Sequence, residues 1–204
     1  MQFLKRSFSA GLIAIAAVAA TSAVHAQMSG NSSNSSGYNF YGPGSGYVGL
    51  NIGQSNYSLG SGFNLFSANK HDVAYNIYTG TFASENFGLE LGYTQFGKIG
   101  RAGGETKAEG INLSLVGRAP LSPQFNVLGK LGTTYGRTNV SAVPGSGVST
   151  GRETGFGVSY GLGAEYVFSN QLSGVLQYDE HRLRFAGEGR DRISATTVGL
   201  HYRF

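Results

Sequence analysis

The feature that most constrains this chain is a two-residue alternation that begins at Gly46 and continues to the last residue, Phe204. Its clearest instance is the segment 156–166, FGVSYGLGAEY, in which apolar side chains occupy every second position and glycine or polar residues separate them. Successive side chains of a strand point to opposite faces, so this period predicts strands with one apolar face. The chain is therefore predicted to be all-β.

The alternation divides into eight segments. They lie at about 46–53, 73–82, 89–93, 111–115, 127–135, 156–166, 172–178 and 196–204. The connections are tight at about 83–86, 119–124 and 168–171, and long at about 54–72, 97–108, 137–153 and 179–192. An even number of antiparallel strands, with tight turns at one end and long loops at the other, is typical of outer-membrane barrels. The pattern predicts an eight-stranded antiparallel up-and-down transmembrane β-barrel.

Composition indicates which face of the strands meets lipid. Only 13% of the residues are charged and 33 are glycine, so the polar face is too small to fill a soluble hydrophobic core. The apolar face ends in an aromatic residue on strand after strand, which is typical of the interfacial girdles of membrane barrels. These residues are Tyr93, Tyr135, Tyr166, Tyr178, Tyr202 and Phe204. A soluble eight-stranded barrel would place its apolar residues inside instead.

The N-terminal residues predict export. Segment 1–26 has the positive start, apolar middle and small-x-small end (Val24-His25-Ala26) of a cleaved secretory signal peptide. Segment 27–45 is rich in Ser, Asn and Gly and is predicted to be a flexible leader, which leaves 46–204 as the barrel domain. The chain has no cysteine, and a closed hydrogen-bonded barrel needs no disulfide. The expected location is the outer membrane of a Gram-negative cell.

Short Gly/Tyr-rich segments resemble the transmembrane domain of outer-membrane protein A and its small relatives. They are VGLNIGQSNY (48–57), NFGLELGY (86–93), KLG (130–132), GAEY (163–166) and the terminal HYRF (201–204). Because the chain ends at Phe204, the periplasmic peptidoglycan-binding domain of the larger relatives is not expected. The resemblance implies that Phe204 is an assembly signal and that the barrel-assembly machinery and periplasmic chaperones are partners during biogenesis. The oligomeric state is left open by the sequence, and a monomer is expected.

Four charged residues fall on the inward parity of the strands, namely Glu90, Arg118, Lys130 and Glu165. Counting residues from the turns places Lys130 and Glu165 at a similar height along the barrel axis. Glu90 and Arg118 are also expected at a similar height, but their match is looser. Since a buried charge is costly unless it is paired, we expect an internal ionic network. The family resemblance implies such a cluster, with Glu90 and Glu165 at its acidic positions. The network could gate small ions, but a structural plug is favoured because eight strands enclose a narrow lumen.

The connection at 179–192 carries most of its positive charge on Arg182, Arg184, Arg190 and Arg192. A guanidinium group suits bidentate contact with phosphate, so these arginines are candidates for contact with lipopolysaccharide. The alternative is a solvated loop of mixed charge, which the interspersed acidic residues favour.

The sequence predicts no enzyme, cofactor or metal site. Asp and His residues are adjacent at 71–72 and within 179–181, but no serine, histidine and acid share a fixed spacing that would predict a nucleophilic site. His201 is expected to fill the lumen, and Arg203 on the same face of the last strand is expected to point inward as well. No cluster has metal-ligand spacing, and no basic segment with interleaved aromatics indicates nucleic-acid binding.

The expected function is a structural role in the integrity of the envelope, with outer-membrane lipid and lipopolysaccharide as partners. Two alternatives remain: adhesion or ligand binding through the extracellular loops, and a narrow channel for small solutes or ions. The Gly/Tyr-rich motifs predict the architecture, but they do not identify a ligand.

Overall fold

The computed structural model describes residues 44–57, 71–101, 104–142, 150–185 and 189–204. Within these ranges the chain forms eight strands. They are β1 (Gly46–Tyr57), β2 (His71–Phe82), β3 (Phe87–Arg101), β4 (Gly104–Pro120), β5 (Phe125–Ala142), β6 (Gly151–Val167), β7 (Leu172–Phe185) and β8 (Gly189–Arg203). The predicted signal peptide and nearly all of the predicted leader lie outside the described residues.

The sheet closes on itself into an antiparallel barrel. β1 pairs with β2 on one side and with β8 on the other, and Leu50 lies opposite Leu200 in the closing pair. The Phe204 amide donates to the Gly46 carbonyl over 3.0 Å, and the Gly46 amide donates back over 3.3 Å. The eight-stranded antiparallel barrel is thus confirmed, and its last strand pairs with the strand that begins at Gly46. Closure gives every strand a hydrogen-bonded neighbour on each side.

The barrel carries its apolar side chains on the outside. Leu50 and Leu162 are 62% and 68% exposed, whereas Tyr47 and Asn51 on the opposite parity are 1% exposed. The same alternation of exposed apolar and buried polar residues recurs on all eight strands. An outer apolar belt of this kind is stable only in contact with lipid, so the arrangement agrees with the predicted lipid-facing parity. Among the described residues, no helix has the length and apolar character that a membrane-crossing helix needs.

Three tight turns lie at the same end of the barrel as Gly46 and Phe204, and we call this the turn end. They cover 83–86, 121–124 and 168–171, so the predicted turn at 119–124 is shortened by the extension of β4 to Pro120. In each turn a serine hydroxyl accepts the amide of the residue that starts the next strand, and this fixes the turn locally. The pairs are Ser84 with Phe87, Ser122 with Phe125 and Ser169 with Leu172, each at 3.1 Å.

The four connections predicted as long loops are wrong in extent. Strand pairing continues to Tyr57, Arg101, Ala142 and Phe185 on one side of these connections and resumes at His71, Gly104, Gly151 and Gly189 on the other. β4, β5 and β6 have 17, 18 and 17 residues, although about 9–11 suffice to cross a membrane. Beyond the apolar belt the outward face of the strands is polar, so the apolar period on that face ends before the hydrogen bonding does. We call these projecting parts the hairpin extensions.

Candidate functional site in the lumen and at its rim

Glu165 is the centre of a buried cluster at the turn end of the lumen. Its side chain is fully buried, and Arg203 Nη1 donates to Oε1 over 2.9 Å. The Ser173 hydroxyl donates to the same oxygen over 2.5 Å, and Asn126 Nδ2 donates to Oε2 over 2.9 Å. His201 Nδ1 lies 3.4 Å from Oε1. A buried carboxylate needs such paired and hydrogen-bonded surroundings, and we call this group the turn-end cluster.

Arg203 also binds the turn between β6 and β7. Its Nε donates to the carbonyl of Asn170 over 3.0 Å, and its Nη2 donates to the carbonyl of Ser169 over 2.9 Å. One guanidinium group therefore joins the closing strand to a buried carboxylate and to two turn carbonyls. Sequence parity placed Arg203 inward but did not connect it with Glu165. The available signal was that both residues have inward parity near the turn end.

Glu90 and Lys130 form a second buried pair, which we call the central ion pair. Lys130 Nζ donates to Glu90 Oε1 over 2.7 Å, and the two side chains are 6% and 1% exposed. The Tyr47 hydroxyl donates to Glu90 Oε2 over 3.0 Å, and the ammonium group lies 4.6 Å from the centre of the Tyr78 ring. Both carboxylate oxygens of Glu90 thus have donors, while Lys130 gains a cation–π contact.

The structure connects the four predicted lumen charges differently from the expectation. The prediction that Lys130 and Glu165 lie at similar height is wrong, because Glu165 lies opposite Asn126, which is four residues before Lys130. The prediction that Glu90 and Arg118 lie at roughly similar height is also wrong, since the residue opposite Glu90 is four positions before Arg118. Barrel strands are tilted and staggered, so counting from the turns misjudges height. The same tilt lets Lys130 on β5 reach Glu90 on β3.

Arg118 lies at the margin of the turn-end cluster and is partly exposed. Its Nη1 donates to Asn126 Oδ1 over 3.1 Å, and its Nε donates to the carbonyl of Glu85 over 2.9 Å. Asn126 in turn donates to Glu165, so Arg118 reaches the buried carboxylate through one amide side chain. The four predicted residues therefore lie in two groups, with Arg118 and Glu165 in one and Glu90 and Lys130 in the other.

A polar layer lies further along the lumen. Asn51 connects β1 with β7 and with β2. Its Nδ2 donates to Gln177 Oε1 over 2.5 Å, and its Oδ1 accepts a hydrogen bond from the Tyr78 hydroxyl over 3.1 Å. His181 Nδ1 lies 2.8 Å from Thr134 Oγ1. A cavity of about 10 Å³ remains in this layer, which is roughly the room that one water molecule needs. It is lined by Asn76, Asn112, Ser114, Lys130, Ser159, Tyr160, Asp179 and His181.

Two apolar clusters fill the lumen on either side of this polar layer. The cluster towards the turn end consists of Tyr47, Tyr78, Phe82 and Val116. The cluster towards the hairpin extensions consists of Tyr57, Phe96, Ala108, Leu183, Phe185 and Ile193. Every one of these residues is at most 3% exposed. Desolvated aromatic and aliphatic side chains of this size offer no hydrated path to an ion.

The extension of β7 passes across the inside of β6 and reaches β5. The Thr138 hydroxyl on β5 donates to the carbonyl of Arg184 over 2.6 Å. A Cβ at Gly136 would collide with the side chain of Leu183, and a Cβ at Gly157 would collide with the carbonyl of Arg182. Because glycine has no side chain, these two positions provide the space that β7 occupies. The side chains of Leu183 and Phe185 on this part of β7 belong to the apolar cluster towards the hairpin extensions.

The arginines that the sequence assigned to a loop lie on the extensions of β7 and β8. Arg182 lies directly opposite Arg192, and Arg184 lies directly opposite Arg190. Arg182, Arg184 and Arg192 are exposed. Arg192 Nη1 lies 3.8 Å from Glu180 Oε1, and the Tyr160 hydroxyl donates to the same carboxylate oxygen. Arg192 thus has an acidic neighbour, and Asp191 lies on the opposite face of the strand from Arg192, so contact with lipopolysaccharide and a solvated mixed-charge surface both stay predictions.

The histidines contribute packing and hydrogen bonds. His201 lies between Tyr47 and Tyr78, with ring centroids 4.6 and 5.2 Å away, as expected for a residue that fills the lumen. His181 packs 4.9 Å from the Phe96 ring in addition to its contact with Thr134. In the part of the chain that the structure describes, no three His, Cys, Asp or Glu side chains come together in a way that could hold a metal ion. The side chain of His71 lies outside the described residues.

Comparison with known proteins decides the family. A family model described as outer membrane protein beta-barrel domain matches residues 10–204. The chain belongs to this family. It is accordingly an outer-membrane protein, and the belt of exposed apolar residues is its lipid-facing surface. The resemblance to small barrels of the outer-membrane protein A type is confirmed.

Individual relatives agree with this assignment. Outer membrane protein A of Salmonella typhi is 25% identical over 167 residues, which cover 78% of this chain and 48% of that protein. The corresponding protein of Yersinia pseudotuberculosis serotype I (strain IP32953) is 26% identical over 172 residues, with the same coverage. The chain thus spans about half the length of these relatives.

Two solved structures show the same fold. Neisserial surface protein A superposes with a TM-score of 0.63 at 17% identity, covering 78% of this chain and 97% of that chain. Ail, the attachment invasion locus protein of Yersinia pestis, superposes with a TM-score of 0.53 at 15% identity, covering 78% and 98%. At these identities the likeness concerns architecture alone.

Proposed function

We propose that this protein is a structural component of the outer membrane, a monomeric barrel that contributes to envelope integrity and carries out no catalysis. The observation that supports the proposal is the filled lumen. Two apolar clusters enclose a polar layer, and the buried Lys130 is paired with Glu90. A side-chain arrangement of this kind stabilises the wall against the membrane without providing a path for solutes.

A channel is the less favoured function. Conduction requires a hydrated route with polar groups that an ion can leave as well as enter. Here Lys130 donates to Glu90 over 2.7 Å, and Arg203 donates to Glu165 over 2.9 Å, so the two buried cations are held by carboxylates. Moving either would leave an unpaired charge in a lumen that bulky side chains fill.

A surface-binding function is the second candidate. It is favoured by the hairpin extensions, since strands of 17 and 18 residues project past the membrane and form a scaffold for ligand contact. The structural neighbour Ail is an attachment invasion locus protein. Shortening the extension of β5 and β6 while keeping the barrel tests this function. Loss of cell adhesion without a change in detergent sensitivity would favour surface binding over envelope integrity.

Deletion of the gene, followed by complementation, tests the structural role. We expect the deletion strain to become more sensitive to detergent and to large hydrophobic antibiotics, and we expect the wild-type gene to restore resistance. A version with a shortened β5–β6 extension should restore it too, because the lipid-facing wall is intact. Unchanged sensitivity of the deletion strain under envelope stress would contradict the proposal.

The terminal residue Phe204 is proposed as the assembly signal recognised by the barrel-assembly machinery after delivery by periplasmic chaperones. The residue is 56% exposed, while its backbone closes the ladder with Gly46. We therefore expect Phe204→Ala to lower the amount of folded barrel in the outer membrane several-fold and to leave the stability of inserted molecules nearly unchanged. Heat-modifiable migration on a gel measures the folded fraction.

Phe168→Ala is the matched control for Phe204→Ala. Phe168 is another exposed aromatic residue at the turn end, with 60% of its surface exposed, but it lies within the chain. An assembly defect of equal size in both variants would indicate a general need for interfacial aromatics instead of a terminal signal.

A further inference from the structure

The cavity in the polar layer of the lumen is surrounded by polar side chains that lack partners. Oδ1 of Asn76, Oδ1 of Asn112 and Oγ of Ser159 are buried and form no hydrogen bond with a described residue. All three residues line the same cavity of about 10 Å³. Nearly all buried polar atoms in native proteins are hydrogen bonded, and an exception often contacts a bound water molecule or ion. Three such atoms around one cavity therefore indicate a site for a small polar ligand.

Asp179 indicates the charge of this ligand. The residue lines the same cavity and is 9% exposed. Among the residues that the structure describes, none forms an ion pair or a side-chain hydrogen bond with its carboxylate. A buried carboxylate is costly unless a cation or several hydrogen-bond donors surround it. The ligand is therefore expected to be a cation.

One negative charge of the polar layer has no counter-charge among the described residues. Glu90 and Lys130 neutralise each other, since Lys130 Nζ donates to Glu90 Oε1 over 2.7 Å. His181 Nδ1 lies 2.8 Å from the hydroxyl oxygen of Thr134, a contact that a neutral imidazole can make. With His181 neutral, Asp179 leaves one negative charge in the layer. One monovalent cation neutralises this charge, whereas a divalent cation would leave excess positive charge beside Lys130.

The oxygen atoms around the cavity come from four strands. They belong to Asn76 on β2, Asn112 and Ser114 on β4, Ser159 on β6 and Asp179 on β7. Carboxylate and carbonyl oxygens are the usual ligands of hard cations, and a hydroxyl oxygen also has lone pairs to offer. The set contains a single carboxylate, which suits a monovalent ion better than a divalent one.

Two glycines that face the lumen provide space for these ligands. A Cβ at Gly161 would collide with the carboxylate of Asp179, and a Cβ at Gly132 would lie 2.6 Å from the hydroxyl oxygen of Ser114. The remaining cavity has roughly the room of one water molecule, so it admits an alkali cation only without its hydration shell. The apolar clusters on either side separate it from both ends of the lumen. An ion is therefore expected to bind as the barrel folds and to exchange slowly afterwards.

We propose that the polar layer binds one monovalent cation, an alkali metal ion or ammonium, with Asp179 as its charged ligand. Neutral oxygens of Asn76, Asn112 and Ser159 complete the site. The bound ion connects β2, β4, β6 and β7 across the lumen, so it slows unfolding of the barrel. The site goes beyond the proposed structural role, because it gives the filled lumen a specific ligand. The ion is held and not conducted, since the apolar clusters stay closed on both sides.

Retention of rubidium by the folded protein tests the proposal directly. The protein is unfolded and refolded in neutral detergent micelles with rubidium chloride, and it is then exchanged into choline chloride of equal ionic strength. Heat-modifiable migration verifies folding, and elemental mass spectrometry measures the bound rubidium. We expect wild type to retain about one ion per barrel, the number that one carboxylate needs. Asp179→Asn should retain at least about tenfold less, because the only charged ligand is removed.

Asp191→Asn is the matched control for Asp179→Asn. Asp191 is a partly exposed acid on the extension of β8, where its Oδ1 accepts the amide of Arg192. This variant should retain as much rubidium as wild type. Ser159→Ala removes one neutral oxygen without changing the charge, and we expect it to retain an amount between those of wild type and Asp179→Asn.

The rate of unfolding in denaturant gives a second measurement. Wild type refolded in potassium chloride should unfold at least about fivefold more slowly than wild type refolded in choline chloride, since a ligand of the folded state stabilises that state. Magnesium chloride of equal ionic strength should not replace potassium chloride. Asp179→Asn should unfold at the same rate in both salts. In choline chloride it should unfold no faster than wild type, because it has no uncompensated carboxylate.

Three outcomes would overturn the proposal. Wild type that retains no rubidium and unfolds at the same rate in potassium and choline chloride would show that the cavity holds only water. Equal retention of rubidium by wild type and Asp179→Asn would place the ion elsewhere. Faster unfolding of Asp179→Asn than of wild type in choline chloride would show that Lys130 already compensates the carboxylate of Asp179.

Discussion

Replacing Lys130 by methionine is expected to lower the free energy of unfolding by about 3–5 kcal/mol, the usual cost of breaking a buried ion pair by removing one partner. Glu90 is 1% exposed, and Lys130 supplies the donor to its Oε1. The Tyr47 hydroxyl binds only the other carboxylate oxygen. The substitution keeps the side-chain volume and leaves an uncompensated carboxylate in the lumen. Methionine can fill the space, so the loss arises from charge.

The control for Lys130→Met is the double variant Glu90→Gln, Lys130→Met. It removes both charges, and replacement of a whole buried pair by neutral side chains of similar size is often nearly neutral. We expect at least half of the lost stability to return. The protein has no tryptophan, so circular dichroism and gel mobility during denaturant unfolding in lipid vesicles are suitable measurements. A double variant as unstable as Lys130→Met would show that packing, and not charge, makes the contribution.

Replacing Arg203 by methionine is expected to have the second largest effect, near the lower limit of the about 3–5 kcal/mol for a broken buried ion pair. Arg203 binds Glu165 and the Ser173 hydroxyl. It also binds the carbonyls of Ser169 and Asn170, so at least four contacts are lost. The cost is smaller than at Lys130 because Asn126 and Ser173 still donate to the carboxylate.

The position of Arg203 on the closing strand adds a kinetic expectation. Its contacts join β8 to the β6–β7 turn, so Arg203→Met should speed unfolding of the inserted barrel as well as lower its stability. Arg182→Met is the matched control, since this exposed arginine lies on β7 outside the lumen, and surface substitutions usually change stability by at most about 0.5 kcal/mol. Equal losses for Arg203→Met and Arg182→Met would contradict the role of the turn-end cluster.

The strands, the closure and the lipid-facing side were predictable because one physical constraint decides all three. A closed barrel in lipid must alternate apolar and small side chains, and segments such as 156–166 and 196–204 show that period directly. The inward positions of Glu90, Lys130, Glu165 and Arg203 followed from the same parity.

Connections across the lumen were less predictable than the parity. Parity says that Lys130 points inward, but only strand tilt and stagger show that it reaches Glu90 and not Glu165. The strand extensions were missed because their outward face is polar, so the apolar period that marks a lipid-facing strand stops before the strand pairing does. The opposed arginines at 182 and 192 depend on the β7–β8 register, which the loop interpretation left undefined.

The most direct test of a filled, structural barrel is ion conductance of the purified wild-type protein in planar lipid bilayers. Folding is first verified by heat-modifiable migration. The two apolar clusters and the Lys130–Glu90 ion pair predict no steady current above that of protein-free bilayers. Since the apolar clusters remain in Lys130→Met, the same is predicted for that variant if it inserts. Reproducible unitary currents from the wild-type barrel, reduced or enlarged by Lys130→Met, would contradict this account and assign the lumen to ion passage.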